Sequence, residues 1–400
     1  MLAITNVNLI DGTGRQPTEN AVIIIDNGVI TKTGTDIPVP EGIDVINAKG
    51  MTAIPALSDA HTHFSGSSFF ERPPLGRREK TYDYSEAREA CLRWGVLTVR
   101  TAGDIVPDIL EYKKDVLDGK ITSPRVLAAG PMFQARGGHP LNTVFMSDEE
   151  IEKNACIIID DDTDIESAVK AVCEMGVDWI KVFYAHINKM DYPNYVPRLS
   201  RSVLERVIRA AHRLGKPVMV HVDDPDEMLE AAMSGADCIE HMIGVGAGKA
   251  QLSLELIELL KSRNVTVVPT MVSIQRFDDK LEGAAPVWED LKAAVKKLKD
   301  AGVPLAVGCD SGIPLVGHGE GVHDELMFFV EAGFTPMEAI CAATLGNAKL
   351  LQMDDKTGSL EPGKMADVIL LGSNPLEDIS NTKDIRLVIM EGRVVFDNLR

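Results

Sequence analysis

The stretch Trp179-Ile-Lys181-Val-Phe-Tyr184, followed after the helical pattern Ser202–Leu214 by Pro217-Val-Met-Val-His221-Val222, reads as strand, helix, strand. Each strand is a short apolar run broken by one residue that a core would reject: an ammonium at position 181, an imidazole at 221. The same unit recurs outward in both directions. Apolar runs lie at Thr52–Leu57, Leu97–Thr101, Arg125–Ala129, Cys238–Met242, Thr266–Thr270 and Pro304–Gly308. Between them come amphipathic stretches such as Leu252–Ser262, with apolar residues at i, i+3 and i+4. Eight buried-type strands alternating with helices predict an α/β protein built on a (β/α)8 TIM barrel rather than an open sheet.

The two ends of the chain read differently. Leu2–Ile10, Ala21–Ile25 and Val29–Thr33 are short β-branched runs, and Asp26-Asn27-Gly28 between the last two is a hairpin signal. Ala366–Leu371, Arg386–Glu391 and Arg393–Phe396 repeat the pattern near the C-terminus. Residues 1–55 and 356–400 are therefore expected to form one small composite β-sandwich domain, enclosing a barrel over residues 56–355. A chain of 400 residues is long enough for two cores.

Composition narrows the partners. A formal charge of −19, from 41 basic and 60 acidic residues, argues against nucleic acid and anionic membrane. The six cysteines are dispersed and form no Cys-x-x-Cys pair, which suits buried thiols in a reducing compartment. The first residues, Met1-Leu-Ala-Ile-Thr, lack the basic and apolar regions of a signal peptide. No apolar run approaches the roughly 20 residues that cross a bilayer. These features lead to the expectation of a cytoplasmic protein acting on a small molecule, without nucleic acid or membrane as partner.

Barrel enzymes carry their chemistry at the C-terminal ends of the strands. His61-Thr-His63 follows the first run, and its i, i+2 spacing puts both imidazoles on one face of an extended chain. His221 and His241 end the fifth and sixth runs, Lys181 lies in the fourth, and Asp310 follows the eighth. One histidine at such a place is ordinary; four, with an aspartate, point to a transition metal, since imidazole with carboxylate suits Zn, Mn, Fe or Co. A lysine snorkelling to the rim would be the plain reading of Lys181. The chemical alternative is a neutral amine that adds CO2 to become a carbamate able to bridge two ions.

The motifs Pro55-Ala-Leu-Ser-Asp-Ala-His61-Thr-His63, Trp179-Ile-Lys181-Val, Val218-Met-Val-His221-Val, Asp237-Cys-Ile-Glu240-His241 and Ala306-Val-Gly-Cys-Asp310-Ser stand in order along the chain. So do Thr344-Leu-Gly-Asn347 and Gly358-Ser-Leu-Glu-Pro-Gly363-Lys-Met-Ala-Asp367. The chain thereby resembles the amidohydrolase superfamily, in its imidazolonepropionase-like and prolidase-like (Xaa-Pro dipeptidase-like) branch. The resemblance implies two divalent transition-metal ions, zinc foremost. His61 and His63 would hold the more buried ion, His221 and His241 the more exposed one, with N6-carboxylated Lys181 and a hydroxide between them. Asp310 would bind the first ion and serve as general base, so Asp310, Lys181 and His241 are the expected catalytic residues. The implied reaction is hydrolysis of the C–N bond of an N-acyl amino acid, a dipeptide or a cyclic amide.

Further residues are expected to touch substrate. His139 ends Arg136-Gly-Gly-His139, where dipeptidase-like relatives place a substrate-contacting histidine. Tyr192, Tyr195 and Arg198 follow the fourth run and could hold a carboxylate; His323, with His318, lies beyond the eighth. Leu199 stands before Ser200 where relatives that cleave dipeptides often carry an aromatic residue, which weakens the dipeptidase assignment. A one-metal ring-amide hydrolase or deaminase is the alternative. Deaminases of the superfamily carry a glutamate in a His-x-x-Glu arrangement near the fifth strand, whereas His221 is followed here by Val-Asp-Asp224. An inactive scaffold would have lost ligands, and none is lost. Barrels of this kind also associate, so a homo-oligomer is allowed.

Overall fold

The computed structural model describes residues 1–66, 83–145, 147–187, 194–243, 251–277 and 287–399. Five strands open the chain: β1 (Leu2–Leu9), β2 (Thr18–Asp26), β3 (Val29–Gly34), β4 (Asp44–Asn47) and β5 (Thr52–Pro55). The middle carries β6 (Leu57–Thr62), β7 (Val96–Thr101), β8 (Arg125–Leu127), β9 (Met132–Ala135), β10 (Cys156–Ile159), β11 (Ile180–Phe183), β12 (Val218–His221), β13 (Cys238–Glu240) and β14 (Thr266–Val268). The chain closes with β15 (Val368–Leu371), β16 (Ile385–Met390) and β17 (Arg393–Asp397). Two compact units result. One joins Met1–Asp59, Glu86–Thr98 and His318–Arg400; the other joins Ala60–Ser85 and Val99–Gly317.

In the first unit both chain ends share one hydrogen-bonded sheet, in the order β17-β16-β15-β5-β1-β2-β3, with β4 paired to β1. The β2–β3 turn places Asn27 and Gly28 at φ 48° and 81°, as the Asn-Gly pair allows at low cost. Alternate residues Ile4, Ile23, Ile25, Val368, Leu370, Leu387 and Ile389 are all but wholly buried and form this unit's core.

The second unit is the (β/α)8 barrel. Residues 60–62 of β6 lead the ring, and Thr62 accepts from the Ala102 amide at the end of β7. Asp104 donates to Gly130 between β8 and β9, which occupy a single strand position split where Gly130 takes φ 68°. Asp178 donates to Ala128, and β11, β12, β13 and β14 follow in parallel. Val267 bridges Leu305, and the segment from 304 to 311 returns to β6 through Ala60 N to Val307 O and Asp310 N to His61 O. Eight positions close the ring. β10 pairs with β9 outside it.

Two expectations shift. The run Thr52–Leu57 is divided: Thr52–Pro55 joins the terminal sheet beside β1 and β15, and the barrel strand is Leu57–Thr62. His61 therefore lies inside a strand rather than after one. The helix expected at Ser202–Leu214 spans Arg201–Arg213, capped by the Ser200 hydroxyl on the Val203 amide, with Val203, Leu204, Val207, Ile208 and Ala211 buried along one face. Among the described residues no helix is long and apolar enough to cross a membrane.

Candidate metal centre

The ring brings His61, His63, Lys181, His221, His241 and Asp310 into the second unit, each from the strand end or strand that carries it. His61 and His241 pack with ring centroids 4.7 Å apart, His221 and His241 at 4.2 Å, and His61 and His63 at 5.5 Å. Asp310 Oδ1 stands 3.2 Å from His63 Nε2 and 3.5 Å from His61 Nε2. His61, His241 and Asp310 each offer a ligand atom within 4.8 Å of the others'. His241, Asp310 and Thr270 all take left-handed backbone, at φ 75°, 61° and 45°. Non-glycine residues hold that conformation at a cost, and it gathers at sites where side chains are aimed.

Three of the four imidazoles are oriented from behind. His63 Nδ1 donates to the Gly103 carbonyl at 2.7 Å, His241 Nδ1 meets the Thr270 hydroxyl at 2.7 Å, and His61 Nδ1 meets Glu240 Oε2 at 2.5 Å. A donor at Nδ1 directs the Nε2 lone pair outward, the tautomer a metal needs. Burial, with the charge of Lys181, pulls His61 down to about 4, so it is neutral at pH 7. Burial alone would raise Asp310, but the His63 hydrogen bond and the neighbouring imidazoles hold its carboxyl far below the usual range. The donors fit a divalent transition metal: imidazoles and a carboxylate, with His61, His221 and His241 buried and His63 and Asp310 mostly so.

Lys181 is the outlier. Its Nζ is wholly buried and has no hydrogen-bond partner among the described residues, 4.9 Å from the Phe183 ring centroid. Burial pushes its pKa down to about 8, against Glu240 and Asp310, whose charges favour the ammonium. Roughly a tenth of such amines are neutral at pH 7. A buried amine near carboxylates and imidazoles is the state from which a carbamate can form.

The expected substrate contacts divide. His139 is buried beside the histidines, its ring centroid 4.9 Å from that of His221, with Nδ1 on the Thr143 hydroxyl at 2.6 Å. Arg198 lies over the Tyr184 ring and pairs with Glu230 at 3.0 Å, so its charge is already matched within the protein. Tyr195 is exposed and stacks on His186, which bonds Glu227. Tyr192 lies outside the described residues. His323 is a correction: it is wholly buried in the first unit, with Nδ1 at Thr382 and Nε2 at the Trp94 carbonyl, leaving no ring nitrogen for a substrate.

Arg100 was legible only as one more letter of a strand. It is wholly buried in β7, donates to Glu240 at 2.6 Å and to the Ala60 carbonyl at 2.7 Å, and stacks on Trp179. The signal that would have found it is the one that marked Lys181, a charge inside an apolar run.

Comparison with known proteins agrees with this geometry. The chain is 29% identical over 405 residues to an ochratoxinase of Aspergillus niger, covering 93% of this chain and 81% of the relative. A crystal structure of an Xaa-Pro dipeptidase with bound methionine in the active site superposes with TM-score 0.84 at 28% identity, over 98% of this chain and 99% of that one. A putative prolidase from Bifidobacterium longum superposes with TM-score 0.82 at 26% identity, over 99% and 95%. The amidohydrolase family profile matches residues 52–395. A barrel ringed by strand-end imidazoles and a profile spanning it lead to one conclusion: the chain belongs to the amidohydrolase family and is a hydrolase of carbon–nitrogen bonds.

Proposed function

We propose that the protein is a two-metal amidohydrolase acting on a small amide such as an N-acyl amino acid or a dipeptide. The observation that carries the reading is the Lys181 amine, buried at the wall of the histidine cluster and without a hydrogen-bond partner among the described residues. Carboxylated by CO2 or bicarbonate, it would offer one oxygen to each of two ions. His61 and His63 with Asp310 would hold one ion, and His221 with His241 the other; zinc suits these donors. When bound, the ions lower the pKa of the attacking water and polarise the scissile carbonyl. Asp310, ionised and hydrogen-bonded to His63, takes the water proton and passes it to the leaving nitrogen. His139, beside His221, would contact the substrate carbonyl or its carboxylate. The likeness to an ochratoxinase and an Xaa-Pro dipeptidase supports a small amide or peptide as substrate.

A one-metal reading draws on the three donors His61, His241 and Asp310 that already converge within 4.8 Å. Deamination in that form lacks its glutamate. Asp224, which stands near the required place, caps the helix Pro225–Ser234 by accepting from the Glu227 amide. Metal analysis of protein purified with bicarbonate, joined to a screen of dipeptides, N-acyl amino acids and cyclic amides, separates the two. Two ions per chain are expected. Lys181→Ala should lose one ion and essentially all activity; two ions retained with an unchanged rate would overturn the reading.

A further inference from the structure

Nδ1 of His61 meets a carboxylate, whereas Nδ1 of His63 meets a carbonyl and Nδ1 of His241 a hydroxyl; on His221 it is Nε2 that stands near a carboxylate, 3.3 Å from Asp223 Oδ1. That carboxylate, Glu240, is itself clamped. Arg100 Nη2 donates to its other oxygen at 2.6 Å, and Arg100 is fixed in turn by the Ala60 carbonyl and by the Trp179 face 4.4 Å away. Arg100, Glu240 and His61 are all wholly buried. The chain Trp179–Arg100–Glu240–His61 thus links β7, β13 and β6 near the C-terminal ends of these strands.

An anion behind a ligating imidazole acts differently from a neutral acceptor. It holds the tautomer and ring plane, and it pushes electron density toward Nε2, which raises the ligand's basicity. Glu240 can do this only in one rotamer. Arg100 secures it, since its charge-assisted bond from Nη2 to Oε1 at 2.6 Å is shorter and stronger than a neutral hydrogen bond. We propose that Glu240, locked by Arg100, is a positioning residue that makes the His61 side of the centre bind its metal ion more tightly than the His221/His241 side. The centre then loads in two steps of unequal affinity. This rests on the two-metal reading above.

The test is a zinc titration of chelator-stripped protein against a competing indicator dye, fitted for each ion. The wild type tests the reading beneath the proposal: binding of a single ion, or none, overturns the two-metal site, whatever the variants do. With two ions, the tighter constant in Glu240→Gln should weaken about 10- to 100-fold, the range seen when such a partner is lost, while the weaker constant holds. Thr270→Val, which removes the partner of His241, should loosen the weaker ion instead. Glu240→Gln leaves Arg100 as a buried unpaired charge and threatens folding. The double variant Arg100→Met/Glu240→Gln removes both charges. A purely structural role predicts that the double variant recovers tight binding; the positioning role predicts that it stays loose. Wild-type constants in any folded Glu240→Gln protein, or equal weakening of both ions, would overturn the proposal.

Discussion

Gly308 shows how little room the ring leaves around its ligands. A Cβ there would stand 2.7 Å from the His61 backbone nitrogen and 2.7 Å from Val268 Cγ1. Gly308→Ala must move strand backbone, and overpacking of this kind costs about 1–3 kcal/mol. Because the backbone that moves is that of His61, zinc content should fall together with the thermal midpoint; calorimetry with metal analysis checks both. His323 tells the opposite story, a histidine whose chemistry is spent on packing. Burial holds it down to about 4, from an ordinary 6.5. Between those values the unfolded chain binds the proton and the folded chain does not. Its contribution is therefore complete above pH 6.5 and is lost as pH falls toward 4, by up to about 3 kcal/mol. His323→Gln should flatten the rise of the unfolding midpoint with pH across that window. An unchanged slope would show that other groups set it.

At the scale of elements, the strand ends decide the site. Asp310 holds φ 61° near the end of the last barrel segment, a conformation that disfavours side chains by roughly 1–2 kcal/mol. Asp310→Gly should leave the metal-stripped protein about 1 kcal/mol more stable than Asp310→Ala, since glycine takes that conformation freely. Both variants should be inactive, so denaturant titration of the pair isolates the backbone term. Helix ends matter in the same currency away from the site. Thr335 and Glu338 form a reciprocal capping box at the start of the helix Pro336–Cys341. Thr335→Ala should cost about 1 kcal/mol and leave the metal content untouched.

Over the whole molecule, the proposed two-metal centre would tie strands 1, 4, 5, 6 and 8 of the ring to common ions. Ligands that favour the folded chain stabilise it by mass action, about 2.7 kcal/mol for each ion present at 100 times its dissociation constant. Chelation should therefore lower the thermal midpoint, and zinc should restore it. The loss should come in two stages if the two ions differ in affinity, read as midpoint against chelator concentration.

Periodicity alone identified the alternation of strands and helices, and it located five ligand candidates, because strand ends in a barrel are the same place in space. Family motifs added Lys181 as a bridging group. What periodicity could not settle was ownership: Thr52–Leu57 is uniformly apolar, and only pairing with β1 and β15 shows that its first half belongs to another sheet. Nor could it separate His323 from His139, both near expected strand ends, since one turns into a core and the other toward the imidazoles. Glu240 and Arg100 stand 140 residues apart, and their pairing between β7 and β13 is a property of ring closure. Spacing along the chain determines which face a side chain shares with its neighbours. Which charge meets which, across a closed barrel, is decided only when the last strand joins the first.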